Sequence, residues 1–221
     1  DEKEKRTLIP VTDKSASRTS GKEPHPLCDN LKYLAGDYSA YVHEKDCSEN
    51  HQRYMEGLKE WAESSFYHPK VWAIYQYLSK NRLLRDLIDA GVLETNAEGF
   101  LDKKKKIQAV SQEDAFVRFR VESDEAMKTE TLDDTSGEFF PECWKDRSLQ
   151  RSYITFCRSR KGDIGLSYLT GENTKISYLQ PKKIRNEGDG AKLISSNDET
   201  YFTFRGRFLN KEEAFAIGYE D

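Results

Sequence analysis

The chain has 221 residues, 36% of them hydrophobic, 33% charged and 12% aromatic, with a formal net charge of −4. That length supports a buried core without disulfide or metal staples, and no apolar window is long enough for a membrane-spanning helix. The mild acidity argues against a general nucleic-acid coat, yet the charges segregate: Glu122 to Glu142 holds eight acids and one lysine, and Cys143 to Arg207 holds thirteen Lys or Arg against seven acids.

Four irregularly spaced cysteines, Cys28, Cys47, Cys143 and Cys157, favour a reducing, cytoplasmic setting. The opening Asp-Glu-Lys-Glu-Lys-Arg has no initiator Met and no signal-like apolar stretch behind it, as expected of a portion of a longer protein.

Residues 1–26 are polar and close on Arg18-Thr19-Ser20-Gly21-Lys22-Glu23-Pro24-His25-Pro26, where Pro and Gly preclude regular structure. Basic and hydroxyl groups beside a glycine suit close approach to a phosphate or a base edge; a solvated connection has the same composition. Leu27 to Tyr41 is too interrupted by Asp29-Asn30 and Gly36-Asp37 to assign an element.

A helical lobe follows over about 51–90. From His51 to Ser64, Tyr54, Leu58, Trp61 and Ala62 line one helical face. Pro69 suits a first helical position, with Val71, Ile74, Tyr75 and Leu78 continuing the stripe to Lys80. A third helix is predicted over Asn81 to Ala90, stopped by Gly91. The lysines Lys103, Lys104, Lys105 and Lys106 form either a solvated loop or a flexible phosphate contact.

Ala115 to Val121 alternates Ala115, Val117, Phe119 and Val121 against Phe116, Arg118 and Arg120, which predicts a strand. The acidic segment 122–142 is expected to be mobile. A helix is predicted from Glu142 to Arg160, then strands over Ile164 to Leu169 and Lys175 to Leu179 joined by Thr170-Gly171-Glu172-Asn173. Lys192 to Ser195 and Tyr201 to Phe204 read as a hairpin followed by Arg205-Gly206-Arg207. The expected fold is α+β: a single globular unit with the helical lobe and small antiparallel sheet elements drawn from 115–121, 164–179 and 192–204.

Enzymatic chemistry finds little support. His25, Cys28, Cys47 and His51 have spacings a zinc site uses, but neither pair has the Cys-x-x-Cys form, and His25 sits between two prolines. There is no Gly-x-Ser-x-Gly elbow, and all four histidines lie in the first third of the chain. Ser20-Gly21-Lys22-Glu23 lacks the upstream glycine and the Ser or Thr of a phosphate loop, and Gly188-Asp189-Gly190 is too short for a dinucleotide fingerprint. No cofactor, metal or catalytic residue is assigned. Nucleic-acid binding is better supported, by the basic interval, the lysine run and the Arg18 to Lys22 loop.

A set of ordered matches extends over nearly the whole chain: Arg18-Thr19-Ser20-Gly21 with Pro24 and Leu27, Asp29-Asn30 with Tyr33 and Gly36, His68-Pro69 with Val71, and Phe116-Val117-Arg118-Phe119. It continues through Leu169-Thr170-Gly171-Glu172, Lys183-Ile184-Arg185-Asn186, Gly188-Asp189, the run from Ala191 to Asp198, and Phe204-Arg205-Gly206-Arg207-Phe208. In these the chain resembles the large subunit of type I-C CRISPR surveillance complexes (Cascade), the Cas-eight-c or Csd-one family.

The resemblance implies the N-terminal globular part of a longer, non-catalytic subunit that reads the short PAM duplex and holds target DNA and the 5′-handle end of the guide RNA. Its implied partners are guide RNA, PAM-containing double-stranded DNA, the handle-binding and backbone subunits, and a separate nuclease-helicase; no membrane is involved. By position, Arg18, Thr19, Ser20, Gly21 and Lys22 become candidates for PAM contact, with Asn30 second. Lys182, Lys183, Arg185, Lys192, Arg205 and Arg207 are assigned by it to DNA or guide-handle phosphates. The alternative is a scaffold that docks neighbouring subunits without reading the PAM.

Overall fold

The apolar stripes read in the sequence become helices because each buries one face against its neighbours. A computed structural model describes residues 7–16, 18, 22–43, 47–107, 109–122, 140–160, 162–177, 185–186, 189–191 and 216–221. Among these the fold is α+β, with seven α-helices and small antiparallel sheets. The expected single globular unit divides into two compact units, one of residues 1–10 and 21–159, the other of 11–20 and 160–221.

In the first unit, the segment that yielded no element forms β1 (Asp29–Asn30), α2 (Leu31–Leu34) and α3 (Tyr38–Tyr41). It is the centre of the core. Leu27, Cys28, Leu31, Tyr33, Leu34, Ala35 and Tyr38 are all buried there. One-turn helices are too short to show a repeat, which is why hydrophobic spacing does not reveal them.

The lobe follows as α4 (Ser48–Ala62), α5 (Pro69–Leu78) and α6 (Leu83–Asp89). Tyr54, Leu58 and Trp61 of α4 and Val71, Ile74 and Leu78 of α5 are buried, as their spacing predicts. Each such side chain contributes roughly 1.5–3 kcal/mol. Pro69 occupies the first turn of α5, and His68 caps it by accepting from the Lys70 backbone N–H.

Gly91 ends α6 with a φ of 70°. Its N–H donates to the Ile88 carbonyl and that of Val92 to Leu87, the paired bonds of a Schellman stop. The start of α6 is capped from a distance: Asp37 accepts from the backbone N–H groups of Leu84 and Arg85, at 3.2 and 3.0 Å. Replacing Asp37 by Ala is expected to lower unfolding stability by about 1 kcal/mol. A urea titration of the variant that overlays the wild type would show the cap to be idle.

After α6 come the hairpin β2 (Lys106–Ile107) and β3 (Val110–Ser111), a 3-10 turn at Gln112–Asp114, and β4 (Phe116–Val117). β4 pairs antiparallel with β1, Asp29 opposite Val117 and Asn30 opposite Phe116. The predicted strand 115–121 is regular over only two residues, because its partner turns into α2 at Leu31; an isolated bridge between Arg120 and Glu142 continues it. Its two faces are as predicted: Ala115, Val117, Phe119 and Val121 pack on the core, while Phe116 is 43% exposed. Most of the acidic segment, 123–139, lies outside the described residues.

α7 (Arg147–Ser159) closes the unit, starting later than the predicted Glu142. Asp146 sets that start, its carboxylate accepting from the backbone N–H groups of Ser148 and Leu149 at 3.0 and 3.2 Å.

The second unit contains α1 (Asp13–Ala16) and a three-stranded antiparallel sheet in the order β5 (Ile164–Leu166), β6 (Asn173–Ser177), β7 (Ile217–Gly218). No sequence pattern announces β7. It is joined to the Ser167 corner, where the buried Ser167 hydroxyl donates to the Asp221 carboxylate and accepts from the Gly218 N–H. The predicted hairpin 192–204 lies outside the described residues.

Candidate nucleic-acid interface

The segment leading into β1 is held by an unusual local arrangement. Cys28 donates its N–H to the Pro26 carbonyl at 2.7 Å across Leu27, whose φ is 66°. A left-handed leucine costs roughly 1–2 kcal/mol; its burial and the hydrogen bond from the Tyr54 hydroxyl to its carbonyl, 2.8 Å, hold it there. The fully buried Asp29 accepts from the His25 and Asn30 backbone N–H groups at 2.7 and 2.8 Å.

Two predicted residues sit at the ends of this fixed segment. Asn30 is half-buried and makes no cap hydrogen bond with its side chain at the start of α2, so its amide is not absorbed in a turn. Lys22 is exposed and ion-paired to Glu49 of α4, which Arg53 also contacts at 3.0 Å. The hydrogen bonds from Lys22 and Arg53 hold the Glu49 carboxyl below its usual range. Arg53 reaches Glu23 at 3.0 Å as well, so a four-residue charge lattice positions the Lys22 end.

The rest of the predicted loop divides differently. Arg18 belongs to the second unit, where its N–H donates to the Ser15 carbonyl at 3.1 Å, just past α1. Thr19, Ser20 and Gly21 lie outside the described residues, as do Lys182, Lys183, Lys192, Arg205 and Arg207. Arg185 is exposed in the second unit and donates to Asp189 at 2.6 Å, which lowers the Asp189 pKa.

The lysine run is organised by a buried glutamine. Gln112 accepts from the Glu94 N–H at 3.1 Å and donates to the Glu94 and Asp102 carbonyls at 2.7 and 2.9 Å, so it clamps both sides of the turn that precedes the lysines. Lys103, Lys104, Lys105 and Lys106 are all exposed. They do not act alike. Lys105 pairs with Glu94 at 2.8 Å, and Lys106 opens β2. Lys103 and Lys104 border a groove of about 630 Å³ with Asn96, Phe100 and His43, the last two rings being 4.6 Å apart.

Two features escape a reading of the sequence alone. Arg118 lies over the Trp144 ring, 3.8 Å from its centroid, on the solvent side of β4. The outer face of α7 presents Arg147, Arg151, Ile154 and Arg158, all exposed; their spacing of four, three and four is legible, but by itself it describes only the polar side of a core helix.

The other polar cluster of the first unit is buried. Lys70, 2% exposed, donates to the Asp146 carboxylate and to the Phe140 carbonyl. His68 accepts the Lys70 N–H at Nδ1, so Nε2 carries the proton and donates to Ser148 Oγ at 3.1 Å. Ser148 Oγ in turn donates to Asp146 at 2.5 Å. Protons therefore point from histidine to serine to carboxylate, opposite to the direction in which a histidine activates a serine nucleophile. The cluster joins α5 to the start of α7.

His51, considered as a zinc ligand, has its ring nitrogens against the Tyr33 carbonyl and Asn81 Oδ1 at 3.1 and 3.2 Å. Burial pushes the Cys28 thiol up to about 12. No helix among the described residues is long and apolar enough to cross a membrane.

The family model described as CRISPR-associated protein (Cas_Csd1) matches residues 1–221. No curated protein and no solved structure matches the chain. This match over every residue identifies the α+β chain as a member of the Cas_Csd1 family of CRISPR-associated proteins.

Proposed function

We propose that the chain is a non-catalytic part of a CRISPR surveillance complex that recognises the PAM duplex and holds target DNA and the 5′-handle end of guide RNA. Family membership over the full chain carries this reading. The geometry supports it at one place: His25 to Asn30 is fixed by Asp29 and Tyr54, so the Asn30 amide is offered with little left to order on binding, while Lys22, just before this segment, would exchange its ion pair with Glu49 for a phosphate. A lysine there supplies phosphate attraction, and an amide supplies a paired donor and acceptor for a base edge.

The test is electrophoretic mobility of the assembled complex on PAM-bearing and scrambled duplexes, after Thr19, Ser20 and Lys22 are changed to Ala and, separately, Asn30→Ala. Removing a side chain that reads a base is expected to cost about 1–3 kcal/mol of discrimination. Lys22→Ala alone should weaken both duplexes alike. If these changes reduce assembly yield while PAM preference stays intact, the chain is a scaffold that docks its neighbours.

A further inference from the structure

The groove beside the lysine run of the first unit is built from two tight turns, and its lining includes the buried Val42 and Leu101. The first turn spans residues 96–100. The Asn96 N–H donates to the Phe100 carbonyl at 2.7 Å and the Gly99 N–H to the Asn96 carbonyl at 3.1 Å, with Gly99 at a φ of 86°. Asn96 Oδ1 accepts from the Glu98 and Phe100 N–H groups at 2.9 and 3.1 Å, which leaves the Asn96 amide nitrogen as a donor. The bridge between Thr95 and Leu101, and the bond from the Leu101 N–H to the Tyr41 carbonyl at 2.8 Å, tie this turn to the core.

The second turn carries the charge. Asp102 Oδ1 accepts from the Lys104 N–H at 2.9 Å, and the Asp102 carbonyl accepts from the Lys105 N–H at 3.0 Å and from the Gln112 amide at 2.9 Å. Lys105 is paired with Glu94. Lys103 and Lys104 are exposed, and among the described residues neither has a carboxylate within ion-pair distance, although Asp102 and Glu113 line the same groove. The backbone that bears the two lysines is therefore fixed while their ammonium groups are left to a ligand.

The rings of His43 and Phe100, inclined at 47° to each other, form the aromatic part of the groove, with Phe100 half-buried and His43 exposed. Ring faces, two cations and an amide donor together match a ligand that joins a flat heterocycle to a phosphate. The two acidic residues argue against a plain polyanion track, along which they would repel phosphates, and suit a ligand whose hydroxyls or ring amines donate. The volume of about 630 Å³ lies within the roughly 300–1,000 Å³ of small-molecule sites. One ring pair, in place of the succession of rings that holds a single strand, accommodates one base.

We propose that this groove is a nucleotide site, additional to the PAM-reading segment: a base stacks on the Phe100 and His43 rings, Asn96 donates to the base edge, and Lys103 and Lys104 hold the phosphate. The nucleotide is either free or an unpaired residue of a strand, and the recognising chemistry is the same in both. The site stands whether or not the chain reads a PAM.

The experiment measures binding of adenosine monophosphate to the full chain by calorimetry, and of a labelled single-stranded oligodeoxyadenylate by fluorescence anisotropy across a salt series. Phe100→Leu, which keeps apolar volume and removes the ring, should weaken the oligonucleotide about 5- to 150-fold, whereas Phe100→Tyr should bind as the wild type does. K103Q/K104Q should reduce the slope of log affinity against log salt by about 0.7–1.4, according to whether the lysines share one phosphate or take one each. Binding of both probes, weakened by Phe100→Leu, supports a site that accepts the free nucleotide; the same result with the oligonucleotide alone assigns the nucleotide to a strand. Unchanged affinity in Phe100→Leu overturns the proposal, as does inorganic phosphate that competes as well as the monophosphate, or a wild type that binds neither probe. An unchanged salt slope in K103Q/K104Q overturns it too, and that variant, altered only at exposed positions, decides the matter if Phe100→Leu folds poorly. An assembled complex without PAM preference would defeat the function proposed above and leave this site standing, since neither probe is a duplex.

Discussion

Lys70→Met is expected to lower the unfolding free energy of the chain by about 3–5 kcal/mol, the usual result of removing one member of a buried ion pair. Lys70 and Asp146 are 2% and 6% exposed, so the remaining carboxylate would stay in the interior without its counter-charge. Its hydrogen bonds from Ser148 and the α7 N-terminus would persist, which is why the deficit stays within that range. The double variant K70M/D146N removes both charges and keeps an N-cap, and it should recover at least half of the deficit. If Lys70→Met unfolds in urea with the wild-type midpoint, the pair contributes nothing to stability.

The same cluster gives stability a pH dependence of definite sign. Burial, aided by the Lys70 charge and opposed by Asp146, lowers the His68 pKa from its ordinary 6.5 to about 4. The unfolded chain therefore takes up a proton before the folded one does. This contribution is complete above pH 6.5 and is lost as the pH falls to about 4, a change of about 3 kcal/mol. Asp146 acts in the same direction at lower pH. Burial alone would raise its pKa, but the hydrogen bonds from Lys70 and Ser148 and the Lys70 charge bring it below 3.8, so its share disappears as the pH falls through the folded value. Urea midpoints at pH 7, 5 and 4 should decline for the wild type, and His68→Gln should flatten the decline between 6.5 and 4.

The second large effect is expected at Trp61, 1% exposed and packed at a tilt of 59° against Tyr153 with ring centroids 4.9 Å apart. Phe156 lies nearly parallel to Trp61 at 6.3 Å, and the three rings form one cluster. Trp61→Ala should cost about 3–5 kcal/mol, because a cavity of that size between two helices closes only in part. Trp61→Phe keeps a ring and gives up the hydrogen bond to Ser152, whose hydroxyl still donates to the Phe66 carbonyl. That cost should be nearer 1 kcal/mol. Equal urea midpoints for the two variants would show that the indole N–H, rather than the packing, joins α4 to α7.

Legibility in the sequence followed element length. α4, α5 and α6 each run long enough for an apolar stripe to repeat, and Pro69 and Gly91 marked real boundaries. The Leu27 to Tyr41 segment, built of a two-residue strand and two one-turn helices, gave no periodic signal although it forms the middle of the core. β4 was found through its alternation but drawn too long, since strand length is set by a partner whose extent the local pattern does not encode. At the candidate interface, residue types were readable and their company was not. The ion pair that ties Lys22 to α4 spans 27 residues. Neither Gln112 nor Asp37 stood out, because a buried amide and a remote cap have no signature in neighbouring residues.

The pairing of Lys70 with Asp146 also orders events during synthesis. The two residues are 76 positions apart, so at ribosomal rates of about 5–20 residues per second the lysine emerges roughly 4–15 s before its carboxylate. Until then Lys70 has no carboxylate at the place it occupies in the fold. Burying the ammonium against a surface lacking a carboxylate would be costly. Asp146 thus supplies in one residue both the counter-charge of Lys70 and the cap that starts α7, so closure of the lobe and the start of its last helix are expected to be coupled.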